Sequence, residues 1–147
     1  MNASIEAVRV AGTTDGPAPM VLLGVEGTTD VLPIVIGFEE AASIARGQDA
    51  VDIGRPLTHD LLLDVVEELG GRVDRVAVSS VSDETYVADL HLNTPREDVV
   101  VDARPSDALS LAARTNCPIS IDEGVFEAGR EPEERFAELD DIREVAQ

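Results

Sequence analysis

Arg55-Pro56-Leu57-Thr58-His59-Asp60 and Asp102-Ala103-Arg104-Pro105-Ser106-Asp107 each set an arginine and a proline directly ahead of an apolar-periodic run. Hydroxyls and carboxylates follow within a few positions, and the first segment adds a histidine. Proline belongs in the first turn of a helix, where a missing N–H costs nothing. The spacing therefore predicts two helix N-termini, whose free N–H groups and positive dipole end can hold a phosphate or a carboxylate. Thr58, Asp60, Ser106 and Asp107 are also the residue types that stabilise helix starts by themselves, so each segment alone reads equally as capping.

If the two segments meet, they form a site for phosphodiester hydrolysis. His59 carries an imidazole, the side chain that exchanges a proton near neutrality, and would activate water or protonate a leaving group. Asp60 and Asp107 complete the catalytic set by orienting it. Arg55, Arg104, Thr58 and Ser106 would bind the phosphate. Asp102, with Glu40 at the start of an earlier helix, would hold a divalent cation such as Mg or Mn through oxygen ligands. The same residues could instead form a static arginine–carboxylate network. His91, inside an alternating run, reads as a sheet-face residue. The single cysteine, Cys117, reads as a packed thiol at the entry to a strand.

The elements that must position these groups follow from periodicity and punctuation. Residues 3–11, 20–25 and 31–36 alternate as strands. Residues 39–46 form a short helix closed by Gly47. A three-turn helix follows the first Arg-Pro pair, with Leu61, Leu62, Val65, Val66 and Leu69 as its apolar face. Residues 72–81 and 85–92 form a hairpin around Ser82-Asp83-Glu84. A strand at 99–102 leads into the second Arg-Pro helix, and 119–121 is one more strand. Pro132 opens an acidic helical tail lying on the surface. The expected fold is α+β, a mixed, largely antiparallel sheet packed with three to four helices. The domain is expected over 1–128, with 129–147 as the tail.

The chain has 147 residues, enough for one domain with a real core. With three Phe, one Tyr and no Trp, that core is aliphatic, and stacking platforms for single-stranded nucleic acid are scarce. Every one of the 11 basic residues is arginine, and the net charge is −19. Self-repulsion at this charge opposes a compact fold at low ionic strength. It becomes tolerable as the Debye length shrinks to about 3 Å in 1 M salt, which points to a halophilic, acidic protein of a salt-filled cytoplasm. No basic region followed by an apolar run opens the chain, so neither a secretory signal nor a membrane span is expected.

Four strings in order resemble the bifunctional nuclease family, in a haloarchaeal-type form. They are Leu32-Pro33-Ile34-Val35-Ile36-Gly37 with Glu40-Ala41 behind it; Arg55 to Leu62; Tyr86-Val87-Ala88-Asp89-Leu90; and Asp102 to Leu109. The resemblance spans roughly residues 5–128. It implies a nuclease acting on DNA and RNA, in a domain that commonly assembles as a homo-oligomer. The charge runs against that substrate, because a polyanion is repelled and no basic stripe is present. Contact with phosphate would fall to Arg55 and Arg104. The alternative is a non-catalytic homo-oligomeric module that binds a small anion or a protein partner through the same groups.

Overall fold

Alternation along Asn2–Thr13 (β1), Gly16–Val25 (β2) and Asp30–Val35 (β3) produces an antiparallel ladder in the computed structural model, which describes residues 1–145. Phe38–Asp49 (α1) and Thr58–Glu68 (α2) follow, then the hairpin Arg72–Ser82 (β4) and Thr85–Asn93 (β5). Asp83 and Glu84 both take positive φ at its tip, the left-handed backbone that a two-residue hairpin turn requires. Asp98–Ala103 (β6), Pro105–Thr115 (α3), Ile119–Ile121 (β7) and Glu123–Gly129 (α4) complete the body. The chain then runs through Glu131–Pro132 (β8), a 3-10 turn at Glu133–Phe136, Asp140–Asp141 (β9) and Ile142–Val145 (α5).

The nine strands form one sheet in the order β6-β5-β4-β7-β1-β2-β3-β8, with β9 against β1. Among the described pairings only β4 with β7 is parallel. This is the mixed, mostly antiparallel α+β architecture that the pattern predicts, with four helices of seven residues or more and a one-turn fifth. One face of the sheet carries the main core. Val8, Leu23, Leu32, Val76, Val78 and Ala88 meet Ile44 of α1, Leu109 and Leu111 of α3, and Phe126 of α4.

Two expectations are corrected. The C-terminal stretch is not a surface helix. Phe136 and Leu139 pack on Met20, Leu22 and Val31, covering the second face of β1–β3, and Ile142 is fully buried in the main core. That explains why β2 is buried on both faces rather than alternating. Acidic residues dominate the stretch, and its few apolar ones decide where it lies.

The second correction concerns α2. No residue of this helix is buried; Leu61, Leu62, Val65 and Leu69 are exposed, and Leu69 is 75 % exposed. Leu63 is the α2 residue that packs against the core. The helix also begins at Thr58, after an extended Leu57, so Pro56 lies before it rather than in its first turn. The second Arg-Pro pair does sit as predicted, with Arg104 directly before α3 and Pro105 opening it.

Candidate active site

The site lies where α1, α2 and the start of α3 converge. α1 starts directly from β3 through Gly37, where a β-carbon would collide with Glu40 Oε2. Glycine there lets the Glu40 carboxylate fold back over the helix start. Further along, a β-carbon at Gly47 would come within 3.0 Å of Ala113 Cβ, so α1 and α3 cross closely. Glu39, Ser43 and Arg46 recur at helical spacing along the face of α1 that looks into the cleft.

A continuous polar chain runs through this junction. Ser43 Oγ lies 2.6 Å from His59 Nδ1, and His59 Nε2 lies 2.9 Å from Asp107 Oδ1. Asp107 accepts a two-pronged bond from Arg104, Nε to Oδ2 at 2.7 Å and an NH2 group to Oδ1 at 3.1 Å. The third nitrogen of Arg104 reaches Glu40 Oε1 at 3.5 Å. The Arg104 guanidinium, with a smaller contribution from His59, holds the Asp107 carboxyl below the usual carboxylate range against the opposing effect of burial. Asp107 is therefore ionised at neutral pH and can only accept hydrogen bonds.

A second network buttresses the first. Arg114, 9 % exposed, donates from Nε to Asp60 Oδ1 at 2.7 Å, and to the carbonyls of Ser43 at 3.1 Å and Ser110 at 2.9 Å. Asp60 Oδ2 accepts from the Leu57 N–H at 3.0 Å, satisfying a free donor at the start of α2. The hydrogen bond from Arg114, then that from Leu57, holds the Asp60 carboxyl below its ordinary range. Arg114 thus joins α1, α2 and α3 behind the site.

In front lies an open cleft of about 650 Å³. Phe38, Ala42 and Leu57 supply its apolar wall, and Arg46 and Arg104 its cations. The Arg46 Nε is buried and, among the described residues, has no hydrogen-bond partner.

Of the residues singled out by type and spacing, the structure brings His59, Asp107, Arg104, Thr58 and Glu40 to this one cleft. Asp60 faces an adjoining cavity of about 120 Å³ beside Arg114. Ser106 is buried at the start of α3, and its carbonyl accepts from Ser110 Oγ at 2.8 Å. Arg55 is exposed on the loop ahead of α2, and Asp102 sits opposite Asp89 on β6; neither lines the cleft. Among the described residues no three His, Cys, Asp or Glu side chains are grouped to hold a metal ion. Of the two carboxylates expected to hold a cation, Glu40 lines the cleft and Asp102, on β6, does not. Ser43 and Arg46 were not anticipated. Their signal in the sequence is only the helical spacing from Glu39, and nothing there says that it faces His59.

Residues 21–134 match the family described as Bifunctional nuclease domain. An uncharacterised protein of Mycobacterium tuberculosis is 39 % identical over 108 residues, covering 74 % of this chain and 64 % of its own length. Bifunctional nuclease 1 of Arabidopsis thaliana is 32 % identical over 109 residues, 71 % of this chain and 34 % of the plant protein. Bifunctional nuclease 2 of Oryza sativa subsp. japonica is 28 % identical over 109 residues, with the same two shares. The match thus spans about two thirds of the mycobacterial relative and a third of the plant ones.

Proposed function

The chain belongs to the bifunctional nuclease domain family, and from that premise we propose that its cleft hydrolyses phosphodiester bonds of DNA and RNA. The observation that carries this reading is His59, held between a buried hydroxyl and an arginine-bound carboxylate in a cleft that offers guanidinium groups. An imidazole so fixed can move a proton without reorienting, which is what general acid–base catalysis requires. Arg46 and Arg104 meet the non-bridging oxygens of the scissile phosphate, and Arg55, outside the cleft, meets a flanking phosphate of a longer strand. Thr58 hydroxyl supplies a further donor at the rim.

Charge shapes how such a substrate arrives. At −19 the surface repels nucleic acid, so binding relies on a few direct arginine contacts rather than a broad basic field. We assign the protein to a salt-filled cytoplasm, where repulsion is screened within a few ångströms. The arginine-only cation set supports this, since guanidinium keeps bidentate bonds that a hydrated ammonium makes less well.

Self-association belongs to the same reading. Leu61, Leu62, Val65 and Leu69 on α2, with Val100 and Val101 on edge strand β6, are large apolar side chains left in water. Apolar surface at a helix and an unpaired sheet edge favours a second copy of the chain as its cover. A non-catalytic anion-binding module is the second reading, favoured by one observation: Arg104 is already neutralised by Asp107 and Glu40. Hydrolysis of a labelled oligonucleotide in multimolar KCl, with and without chelator, separates the two. Loss of cleavage in His59→Ala supports the nuclease; equal cleavage by both proteins marks a contaminant and favours the binding module.

A further inference from the structure

The hydrogen bonds of His59 fix which of its nitrogens does chemistry. Asp107 Oδ1 is an acceptor only, so Nε2 carries a proton whether the ring is neutral or charged. Ser43 Oγ can donate or accept, so Nδ1 is satisfied in both states. The proton that comes and goes is therefore on Nδ1, the atom facing Ser43. Water approaching Nε2 would find no free lone pair, since the carboxylate already occupies that edge.

Ser43 is 4 % exposed yet forms part of the cleft wall, with apolar Phe38 and Ala42 on the same helix and Leu57 across from it. Arg46, one turn further along α1, lines the same cleft. A hydroxyl, an imidazole and a carboxylate in a line, in a cleft that Arg46 and Arg104 also line, are the parts of nucleophilic catalysis. Relative to the usual serine triad the two ring nitrogens are exchanged, but the roles are preserved.

We propose that Ser43 Oγ is the nucleophile of a Ser43–His59–Asp107 relay that attacks phosphorus through a covalent phosphoseryl intermediate. The inference rests on the phosphodiester reading for its substrate class, and on the hydrogen-bond geometry for its nucleophile. Ser43 Oγ forms a bond to phosphorus while its proton passes to His59 Nδ1. The bond from phosphorus to the leaving alcohol breaks, and the imidazolium returns that proton to the departing oxygen. Water then attacks phosphorus, giving its proton to Nδ1. The bond to Ser43 Oγ breaks, the serine recovers its proton, and a phosphomonoester leaves. Arg46 and Arg104 face the non-bridging oxygens in both halves.

The test labels the full chain with a fluorophosphonate, an electrophile that reports an activated serine, and reads the modified peptide by mass spectrometry. The expected result is one adduct, on Ser43, forming about 100-fold or more slowly in His59→Ala. Oligonucleotide hydrolysis is measured alongside, and Ser43→Ala is expected to lose a similar factor. Absence of an adduct on Ser43, labelling undiminished in His59→Ala, or full hydrolysis by Ser43→Ala overturns the seryl nucleophile. Full hydrolysis by Ser43→Ala together with an inactive His59→Ala would leave the nuclease reading standing. An adduct on Ser43 in a protein that cleaves no nucleic acid supports the nucleophile and removes the nuclease.

Discussion

Asp107 binds His59 and Arg104 at once: Oδ1 meets His59 Nε2 at 2.9 Å, and both oxygens take the Arg104 fork. The carboxylate therefore joins the first turn of α3 to the first turn of α2, and any change in its charge is felt by both. Its folded carboxyl is held below the ordinary aspartate range by Arg104 first and His59 second. A depressed folded value means that the unfolded chain takes up protons first as pH falls. The stabilisation is complete above the ordinary aspartate value of about 4, and is lost as pH drops through the lower folded value. Asp107→Asn should flatten stability against pH across that acidic window. Chemical denaturation at a series of pH values reads it, and an unchanged slope would refute the coupling.

Arg114 should matter more for stability than any exposed ion pair. It is almost buried and satisfies a carboxylate and two carbonyls on two other helices and its own. Arg114→Ala removes the side-chain donor from all three, leaving Asp60 only the Leu57 N–H, and a loss of about 2–4 kcal/mol is expected, with Asp60 partly solvated keeping it below the cost of a fully buried pair. Arg114→Lys should recover little of it, because one ammonium cannot reproduce the fork. Denaturant midpoints at fixed pH and salt make the comparison; recovery by lysine to the wild-type midpoint would show that charge alone suffices.

The apolar face of α2 gives a prediction about assembly. Leu61→Glu and Val65→Glu replace exposed leucine and valine side chains, so a folded monomer should tolerate both. If a second copy covers that face, light scattering in high KCl should show the wild type as an oligomer and the double variant as a monomer with an unchanged circular dichroism spectrum. A wild type that is already monomeric at tens of micromolar refutes the assignment.

Salt offers a further check. With 30 acidic residues against 11 arginines, the folded state should gain stability as KCl rises from about 10 mM to multimolar, since the Debye length falls from about 30 Å at 10 mM to 3 Å at 1 M. Thermal unfolding at fixed pH across that range measures the gain. Equal midpoints at both ends would show that charge repulsion is not what salt relieves, and would remove the argument for salt adaptation.

Much of the fold was legible along the chain because local chemistry and tertiary structure agree there. Strand alternation from Arg72 to Leu92, the turn at Asp83-Glu84, and Pro105 opening α3 all announce themselves. The failures share a cause. Periodicity on α2 shows an amphipathic helix but not whether its partner belongs to the same chain, and here Leu69 meets water. In the C-terminal stretch, Phe136, Leu139 and Ile142 are too few to reveal a period, yet they decide where it packs. At the site, His59, Asp107 and Arg104 stand out by type. Ser43 and Arg46 do not, since their meaning depends on how α1 meets the starts of α2 and α3, which a one-dimensional pattern does not record.

The most direct measurement is kcat/KM for a defined phosphodiester in multimolar KCl, compared among wild type, His59→Ala, Arg104→Ala and Arg135→Ala, each purified identically. Arg135 is an exposed arginine of the C-terminal turn, outside the lining of the cleft, and serves as the control for loss of one positive charge. A loss of about 100-fold or more is expected for His59→Ala and Arg104→Ala, and a control within about twofold of wild type. Equal kcat/KM in all four proteins would contradict it, because the activity would then reside somewhere other than the cleft that holds His59.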